Sequence, residues 1–332
     1  MVKIKIAVLY NASKSKSTKE VESNLLDMAK SVAKALARNG HKVSMVNADG
    51  DMLRNLKNKK PDMVFNLAER FKGNSDLMFH VAALLEMNNV PFTGATPSCI
   101  ITCDDKARAK ELMQCYGIPT PKFQVFETGK EKLEAHLNFP LIVKPSKTHD
   151  SIGITNDSVV YNEKKMRLKI KNILDNLQQK AIVEEYIDGR EFQVPVLGND
   201  NPYTLPICEV NLSKSRSKVL GYEMKWHINW YKEAPIICPA DIPKYVQELL
   251  NQIAIKIHKK FGLRDYSRAD IRLKKGIPYI LEVNPNPGLT EDCFIYHSAK
   301  AAGIEYHELI GKIVQYAAER YSASPAVKVT SR

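Results

Sequence analysis

The sequence predicts an α/β protein with a parallel sheet in its N-terminal part and mixed α+β units after it. In the N-terminal part, short apolar segments alternate with segments of helical periodicity, which is the βαβ pattern of a parallel sheet. Near the C terminus, residues 268–273 and 279–284 alternate polar and apolar side chains around Lys274-Lys275-Gly276, which predicts a hairpin. The chain has 332 residues, enough for two or three packed units.

The predicted parallel-sheet unit occupies residues 1–103. Its predicted helices end at turn residues such as Asn39-Gly40, as helices commonly do. The unit contains no G-x-G-x-x-G motif, so dinucleotide binding is not indicated. The predicted elements are strands at 4–10, 41–46 and 63–66, helices at 18–38 and 76–87, and a short strand with a turn at 91–94.

Two further units are expected at 104–188 and 189–321, followed by a small, polar and disordered tail at 322–332. In the central unit we predict helices at 106–116 and 163–177 and strands at 122–126, 141–144 and 181–185. In the last unit we predict strands at 191–197 and 203–209, a helix at 243–261, the hairpin and a final helix at 306–321.

The composition is that of a soluble globular protein, with 44% hydrophobic and 26% charged residues. No apolar run approaches the length of a membrane span, and the charged first residues do not resemble a signal peptide. The six cysteines are scattered without zinc-site spacing. A reduced cytoplasmic protein that contacts no membrane is the simplest interpretation.

The net charge of +12 leaves two interpretations open. Nucleic-acid binding is one, but the basic residues are interspersed with acidic ones and no nucleic-acid-binding signature is present. A positive field around a site for a polyanionic nucleotide is the interpretation that we favour.

The predicted hairpin gathers oxygen ligands on one face. A hairpin centred on Gly276 places Asp270 opposite Glu282, with Asn284 two residues further on the same face. Two carboxylates and an amide oxygen are hard ligands that suit Mg²⁺ shared with phosphates. An ordinary exposed hairpin with a polar face is the alternative. The rigid turn that follows, ending at Gly288, favours the ligand site.

Two other segments suggest contacts with a nucleotide. Lys144 ends an apolar strand before Pro145 and can project into a cleft, while the following residues 150–153 can place backbone N–H groups near a phosphate. The segment from Glu184 to Glu191 joins two strands and can hydrogen-bond a purine edge through its backbone. A plain linker between units is the alternative for this second segment.

Together these motifs resemble the ATP-grasp superfamily, and within it D-alanine–D-alanine ligase and its relatives, from residue 65 to residue 320. The similarity lies in five motifs in the expected order: Asp105-Lys106 before a helix that ends Gly-Ile-Pro-Thr-Pro, Phe-Pro-Leu-Ile-Val-Lys144-Pro, Val-Glu184-Glu-Tyr-Ile-Asp-Gly-Arg-Glu191-Phe, Arg268-Ala-Asp270 and Leu-Glu282-Val-Asn284-Pro-Asn-Pro-Gly288. The resemblance implies an N-terminal α/β domain followed by two domains that clamp ATP.

The resemblance also implies a role for each matching residue. ATP would be held by Lys106, Lys144, Glu184, Glu185, Tyr186, Ile187, Glu191 and Lys225, with Glu191 on the ribose. Mg²⁺, or Mn²⁺ as an alternative, would be held by Asp270, Glu282 and Asn284. The candidate catalytic residues are Arg268, Lys225, Gly288 and Ser151. A homodimer is expected only by analogy with the relatives.

The chemistry implied by the resemblance is ligation of two small molecules. An amino-acid carboxylate attacks the γ-phosphorus of ATP, and an amine then displaces phosphate from the acyl phosphate. Because the carboxylate and ATP are both anionic, charge screening and positioning must supply most of the catalysis. An ATP-grasp kinase or acyl-phosphate enzyme with a non-amine acceptor, and a non-catalytic nucleotide-binding relative, remain alternatives.

Both amino-acid pockets depart from the family pattern. Leu67-Ala-Glu69-Arg70 stands where a His-Gly and acidic residues are usual. The phosphate loop also departs from the pattern, with Thr148-His149-Asp150 where Gly-Ser is expected. Cys293 takes the place of a serine, and Trp226 that of a tyrosine. The candidate substrate residues are Glu69, Trp226, Cys293 and Phe294. We therefore expect a different ligation from cell-wall D-Ala–D-Ala synthesis.

Overall fold

The computed structural model describes residues 3–12, 19–147, 153–213, 215, 219–221 and 234–323. In these residues the strands form a three-stranded, a four-stranded and a six-stranded sheet that follow one another along the chain. No helix of this described part is long and apolar enough to cross a membrane.

The first sheet is parallel, with β1 (Lys5–Tyr10) between β2 (Lys42–Asn47) and β3 (Met63–Asn66). Ile6 and Val8 of β1 pack on one side, while Ala7 and Leu9 pack on the other. Because both faces are covered, the strand reads as a continuous apolar run, and the predicted parallel sheet is confirmed. The helices of this part are α1 (Lys19–Arg38), α2 (Met52–Lys59), α3 (Met78–Met87) and α4 (Pro97–Asp104).

The second sheet is antiparallel, with the strand order β4-β7-β5-β6. A helix with apolar residues at Met166, Ile170 and Ile173 packs against it and forms a separate small core. The elements are α5 (Lys106–Cys115), β4 (Phe123–Phe126), β5 (Leu141–Pro145), β6 (Val159–Val160), α6 (Glu163–Leu177) and β7 (Ala181–Glu185).

The third sheet is also antiparallel, with the strand order β11-β10-β8-β12-β13 and β9 paired to β8. Its strands are β8 (Arg190–Leu197), β9 (Tyr203–Thr204), β10 (Cys208–Val210), β11 (Ile236–Ile237), β12 (Tyr266–Lys274) and β13 (Ile277–Asn284). The helices of this part are α7 (Lys244–Lys260), α8 (Phe294–Ala301) and α9 (Tyr306–Ala323).

The structure differs from the sequence-based prediction in its short elements. The eight-residue helices α2, α4 and α8 were not predicted, because so short a helix shows little periodicity. The strand predicted at 203–209 divides into β9 and β10, with Pro206 between them. Helix α9 extends to Ala323, so the predicted tail does not begin at residue 322, and residues 324–332 lie outside the described part.

Helix α9 returns to the N-terminal sheet and shares one core cluster with β1 and α1. A buried ion pair holds α9 in this position. Arg320 of α9 donates from Nε to Oδ1 and from Nη2 to Oδ2 of Asp265, both at 2.8 Å, and Asp265 is fully buried. Oδ2 of Asp265 also accepts the backbone N–H of Gly94 at 2.8 Å, so this carboxylate joins three distant segments of the chain.

Replacing Arg320 with methionine should lower the free energy of unfolding by about 3–5 kcal/mol, because Asp265 would stay buried without its cation. Urea denaturation of both proteins measures the difference. Arg54→Met is the matched control, since Arg54 pairs with Asp51 on the surface at 3.0 Å and should contribute less than about 1 kcal/mol. If the two variants lost the same free energy of unfolding, burial of the Arg320–Asp265 pair would not explain its contribution.

His258 of α7 is a buried neutral histidine. Its Nε2–H donates to the carbonyl of Gly198 at 3.0 Å, which leaves Nδ1 to accept from the hydroxyl of Ser267 at 2.8 Å. Burial lowers the pKa of His258 from 6.5 to about 4. Between these two pH values the unfolded chain binds a proton that the folded protein does not, so acid favours unfolding.

We therefore expect His258 to cost the folded protein about 3 kcal/mol of stability as the pH falls from above 6.5 to below 4. Urea denaturation at a series of pH values should show a flatter dependence for His258→Gln than for the wild-type protein in this window. His136→Gln is the control, because His136 is exposed and pairs only with Glu134. A wild-type slope in His258→Gln would refute the assignment.

Candidate active site

The floor of the candidate site is made by three neighbouring strands of the third sheet. Residues of β8, β12 and β13 lie opposite one another in rows: Glu191 with Arg272, Gln193 with Asp270 and Glu282, and Pro195 with Arg268 and Asn284. The charged members of the first two rows and Arg268 line one cleft. The intervening residues of these strands, such as Phe192 and Ile271, face the main core.

A β-bulge brings Glu282 to the cleft. The turn of the hairpin is Lys275-Gly276, so Ile271 pairs with Ile280, and regular pairing would next place Leu281 opposite Asp270. Instead the register shifts after Ile271, and Asp270 pairs with Glu282. Leu281 and Glu282 both line the cleft, while Ile280 and Val283 both enter the core. The predicted Asp270–Glu282 pairing is confirmed, but the prediction of a regular hairpin centred on Gly276 was wrong.

Arg268 is held beside the carboxylate pair. It donates from Nε to Oδ1 of Asp270 at 2.7 Å and from Nη2 to Oδ2 at 3.0 Å, and its guanidinium lies 5.3 Å from the centre of the Phe294 ring. Burial alone would lower the pKa of Arg268, but Asp270 outweighs it and raises this pKa. Arg268 is therefore a permanent cation at this end of the cleft.

Two lysines enter the cleft, one from helix α5 and one from the second sheet. Lys106 is the first residue of α5, where Asp105 caps the helix by accepting the N–H groups of Ala107 and Arg108. Lys144 lies on β5 and donates to Oε2 of Glu184 at 2.9 Å. Both lysines line the cleft.

Behind these lysines lies a buried charge cluster that the sequence analysis missed. Lys110 is 1% exposed, lies 3.4 Å from Oε2 of Glu184 and donates to the hydroxyl of Thr120 at 3.0 Å. Burial lowers the pKa of Lys110 to about 8. Burial would raise the pKa of Glu184, but Lys110 and Lys144 outweigh it and lower this pKa. On the sequence, Lys110 is one helix lysine among several, so no signal distinguished it.

The rest of the cleft is apolar at one end. There Ile142, Ile154 and Val219 pack with Tyr186 in one apolar cluster. Leu220 and Leu281 are the other aliphatic residues among the described lining residues of the cleft. A cleft with apolar walls and a few converging charges is the usual form of a small-molecule site.

The nucleoside residues expected from the sequence lie at the same end. Glu191 lines the cleft, while Tyr186 and Ile187 are buried beside it. Arg272, which the sequence analysis did not select, is bound to Glu191 and to the carbonyl of Ile187. Oε1 of Glu184 is buried and has no hydrogen-bond partner among the described residues.

Several expected site residues do not line the cleft. These are Glu69, Glu184, Glu185, Tyr186, Ile187, Asn284, Gly288 and Cys293. Burial raises the pKa of Cys293 to about 12, so its thiol is protonated at neutral pH and is not an activated nucleophile. Ser151, Lys225, Trp226 and the Thr148-His149-Asp150 loop lie outside the described residues.

The residues around Asp270 and Glu282 fit a divalent cation. Among the described residues no three His, Cys, Asp or Glu side chains cluster as metal ligands, so a third protein ligand here would be an amide oxygen. Two amides stand beside the carboxylates in register, and each keeps a buried atom without a described partner: Oε1 of Gln193 and Nδ2 of Asn284. Terminal amide torsions are broad, so either amide can turn its oxygen to a cation.

Comparison with known proteins identifies the fold and then the family. Over 96% of this chain and 99% of the other, the structure matches that of D-alanine–D-alanine ligase from Bacillus anthracis complexed with ATP, with a TM-score of 0.77 at 22% identity. VanG D-Ala:D-Ser ligase from Enterococcus faecalis matches with a TM-score of 0.74 at 22% identity over 95% and 100% of the two chains. The three sheets thus form an ATP-grasp fold, as the sequence predicted.

Sequence comparison gives the family. The family model described as D-ala D-ala ligase C-terminus matches residues 112–315. D-alanine–D-alanine ligase from Pelotomaculum thermopropionicum is 30% identical over 95% of this chain and 97% of its own length. Protein y4sG of Sinorhizobium fredii, described as uncharacterized, is 36% identical over 89% and 88% of the two chains. The chain belongs to the D-alanine–D-alanine ligase family of ATP-grasp ligases.

Replacing Glu184 with glutamine should lower the free energy of unfolding by about 3–5 kcal/mol, because Lys110 and Lys144 would face each other without a carboxylate. Chemical denaturation measures the loss. Glu127→Gln is the matched control, since Glu127 pairs with Lys180 on the surface and should contribute less than about 1 kcal/mol. A Glu184→Gln protein as stable as this control would contradict the cluster's structural role.

Proposed function

We propose that the protein is an ATP- and Mg²⁺-dependent ligase that joins an amino-acid carboxylate to an amine through an acyl phosphate and releases ADP and phosphate. The observation that carries this proposal is the pairing of Asp270 with Glu282 in one cleft with Lys106 and Lys144. Membership in the ligase family supports it. The second and third sheets are proposed to be the two units that clamp the nucleotide.

Asp270, Glu282 and the amide oxygen of Asn284 are proposed to hold Mg²⁺. When bound, the cation would offset the charge of the phosphates and allow an anionic carboxylate to approach. Lys106 of α5 and Lys144 of β5 reach the same space and would hold phosphate oxygens. Since Lys144 is anchored by Glu184, its ammonium is positioned before the nucleotide arrives.

The nucleoside would occupy the apolar end of the cleft. Ile142, Val219 and Leu281 offer surfaces for a purine ring. Oε1 of Glu184, behind the cleft lysines, has no hydrogen-bond partner among the described residues and is an acceptor suited to an adenine amino group. Glu191 lines this end and is an acceptor suited to ribose hydroxyls. An adenine nucleotide therefore fits this cleft, with its purine at the apolar end and its phosphates near the charged side chains.

Arg268 would act at the reacting centre. Its guanidinium lies between Asp270 and the Phe294 ring, at the metal end of the cleft. A cation there is suited to stabilise the negative charge that develops when the carboxylate attacks phosphorus and when the amine attacks the acyl carbon. The amine must lose a proton in the second step, and the described residues do not include an identified base for it.

We propose that the two substrates differ from the D-alanine pair of cell-wall synthesis. The side of the cleft near Arg268 carries Phe294, and the neighbouring Cys293 is a protonated thiol. These residues, with Glu69 and Arg70, stand where the family pattern has other side chains. These changed positions are expected on the acceptor and first amino-acid sides, so we propose that they alter the two substrates.

The direct test incubates the protein with ATP, Mg²⁺ and pooled amino acids and amines. ADP release with a new condensation mass would establish the ligase and identify its substrates. ADP and phosphate without a new mass would favour a non-amine acceptor. ATP binding without turnover in any pool would favour the non-catalytic alternative.

Asp270→Asn should abolish ADP release while the protein stays folded, because one anionic metal ligand is lost. Steady-state kinetics and thermal unfolding measure the two properties. Glu282→Gln provides a second test, since it removes the other carboxylate without disturbing the Arg268–Asp270 pair. The exposed Asp200→Asn is the control and should keep wild-type activity. Activity that survives in both Asp270→Asn and Glu282→Gln would show that the metal assignment is wrong.

A further inference from the structure

Arg272 is a buried cation of the cleft that the proposed function leaves unused. It lies on β12 directly opposite Glu191 of β8 and is only 4% exposed. Its Nε and Nη2 donate to Oε2 of Glu191 at 3.0 and 2.9 Å, and its Nη1 donates to the carbonyl of Ile187 at 2.9 Å. The guanidinium of Arg272 therefore binds both the Glu191 side chain of the third sheet and the backbone of Ile187, just after the last strand of the second sheet.

The same guanidinium also covers Tyr186, with its central carbon 5.2 Å from the centre of the ring. Arg272 thus contacts Tyr186, Ile187 and Glu191, the residues that surround the proposed nucleoside position. A planar, rigid guanidinium can serve a carboxylate, a carbonyl and a ring face at once, whereas the flexible ammonium of lysine cannot.

The contacts leave Glu191 oriented for another donor. Both N–H groups from Arg272 go to Oε2, while Oε1 has no hydrogen-bond partner among the described residues. Glu191 is 8% exposed and lines the cleft, so a bound molecule can reach Oε1 with a donor. Vicinal hydroxyls of a ribose are donors of this kind.

We propose that Arg272 is a positioning residue that makes this site select ribonucleotides over deoxyribonucleotides. This inference rests on the proposed nucleotide function of the cleft. Because Arg272 fixes Glu191 and the Ile187 carbonyl beforehand, a ribose hydroxyl can bind Oε1 without the cost of ordering the carboxylate. A deoxyribose lacks one donor, and a site built to hydrogen-bond a hydroxyl rejects the analogue without it.

A purely structural role for Arg272 makes a different prediction. If the residue only stabilised the junction of the two sheets, its loss would weaken every nucleotide by the same factor. If it positions Glu191, its loss must change the ratio of the dissociation constants for 2′-deoxy-ATP and ATP. This ratio therefore distinguishes the two roles.

Isothermal titration calorimetry with Mg²⁺ and either ATP or 2′-deoxy-ATP measures the ratio. We expect the wild-type protein to prefer ATP by roughly tenfold or more, the effect of one hydrogen bond to a charged acceptor. In Arg272→Met the ratio should fall close to one. In Arg272→Lys, which keeps the charge but not the planar donor geometry, the ratio should also fall. The latter variant decides the question if Arg272→Met does not fold.

Arg190→Met is the matched control. Arg190 neighbours Glu191 in the same sheet and makes an equivalent pair with Glu209, at 2.7 and 2.6 Å, so its loss perturbs the sheet without releasing Glu191. Its ratio should equal that of the wild-type protein. In a double-mutant cycle, adding Arg272→Met to Glu191→Gln should cause no further change in the ratio.

An unchanged ratio in the folded Arg272 variants would overturn the inference, even if both nucleotides bound more weakly. A wild-type protein that binds ATP and 2′-deoxy-ATP equally would also overturn it, while the proposed nucleotide function would stand. A wild-type protein that binds neither nucleotide would overturn both. The two failures are therefore distinguishable in one set of titrations.

Discussion

The candidate site depends on the register of three antiparallel strands, β8, β12 and β13. Each strand alternates between the main core and the cleft, so a shift of one residue would exchange Asp270 with a fully buried neighbour such as Ile271. Burying an unpaired carboxylate in an apolar core costs several kcal/mol, which makes the observed register the only inexpensive one. The bulge at Leu281 is part of this constraint, because without it Glu282 would point into the core while Asp270 faced the cleft.

On this floor, buried cations are matched with buried carboxylates. Lys110 and Lys144 share Glu184, Arg268 binds Asp270, and Arg272 binds Glu191. Such pairs contribute little net stability, since the cost of desolvation offsets their attraction, but they fix where each charge points. A site for a polyanion gains from this arrangement, because the cations are in place before the ligand binds and need not be ordered by it. The net charge of +12 adds a favourable field around such a site.

The sequence predicted the faces of the strands better than the contacts between distant elements. Alternation along 268–273 and 279–284 was enough to predict Asp270, Glu282 and Asn284 on one face, and the Asp270–Glu282 pairing is confirmed by the strand register. The way in which this pairing arises was not predictable. The turn is one residue shorter than expected, and the bulge at Leu281 restores the predicted register. Arg272 and Lys110 were missed for another reason. Their partners, Glu191 and Glu184, lie 81 and 74 residues away in sequence. A local sequence pattern does not predict contacts over such separations.

The nucleotide end and the reacting end of the cleft are built differently, and this supports a changed substrate pair. Glu184, Glu191 and Asp270 are carried by strands that are paired on both sides, and Glu282 is carried by the edge strand β13, whose pairing with β12 restricts it. Phe294 and Cys293, in contrast, lie at the start of α8 after the loop that follows β13, where no strand pairing constrains the side chains. Substitutions in such a loop alter shape and polarity without disturbing the sheet register. A ligase can therefore acquire new carboxylate and amine substrates at this end while the sheets keep the proposed nucleotide and metal residues in position.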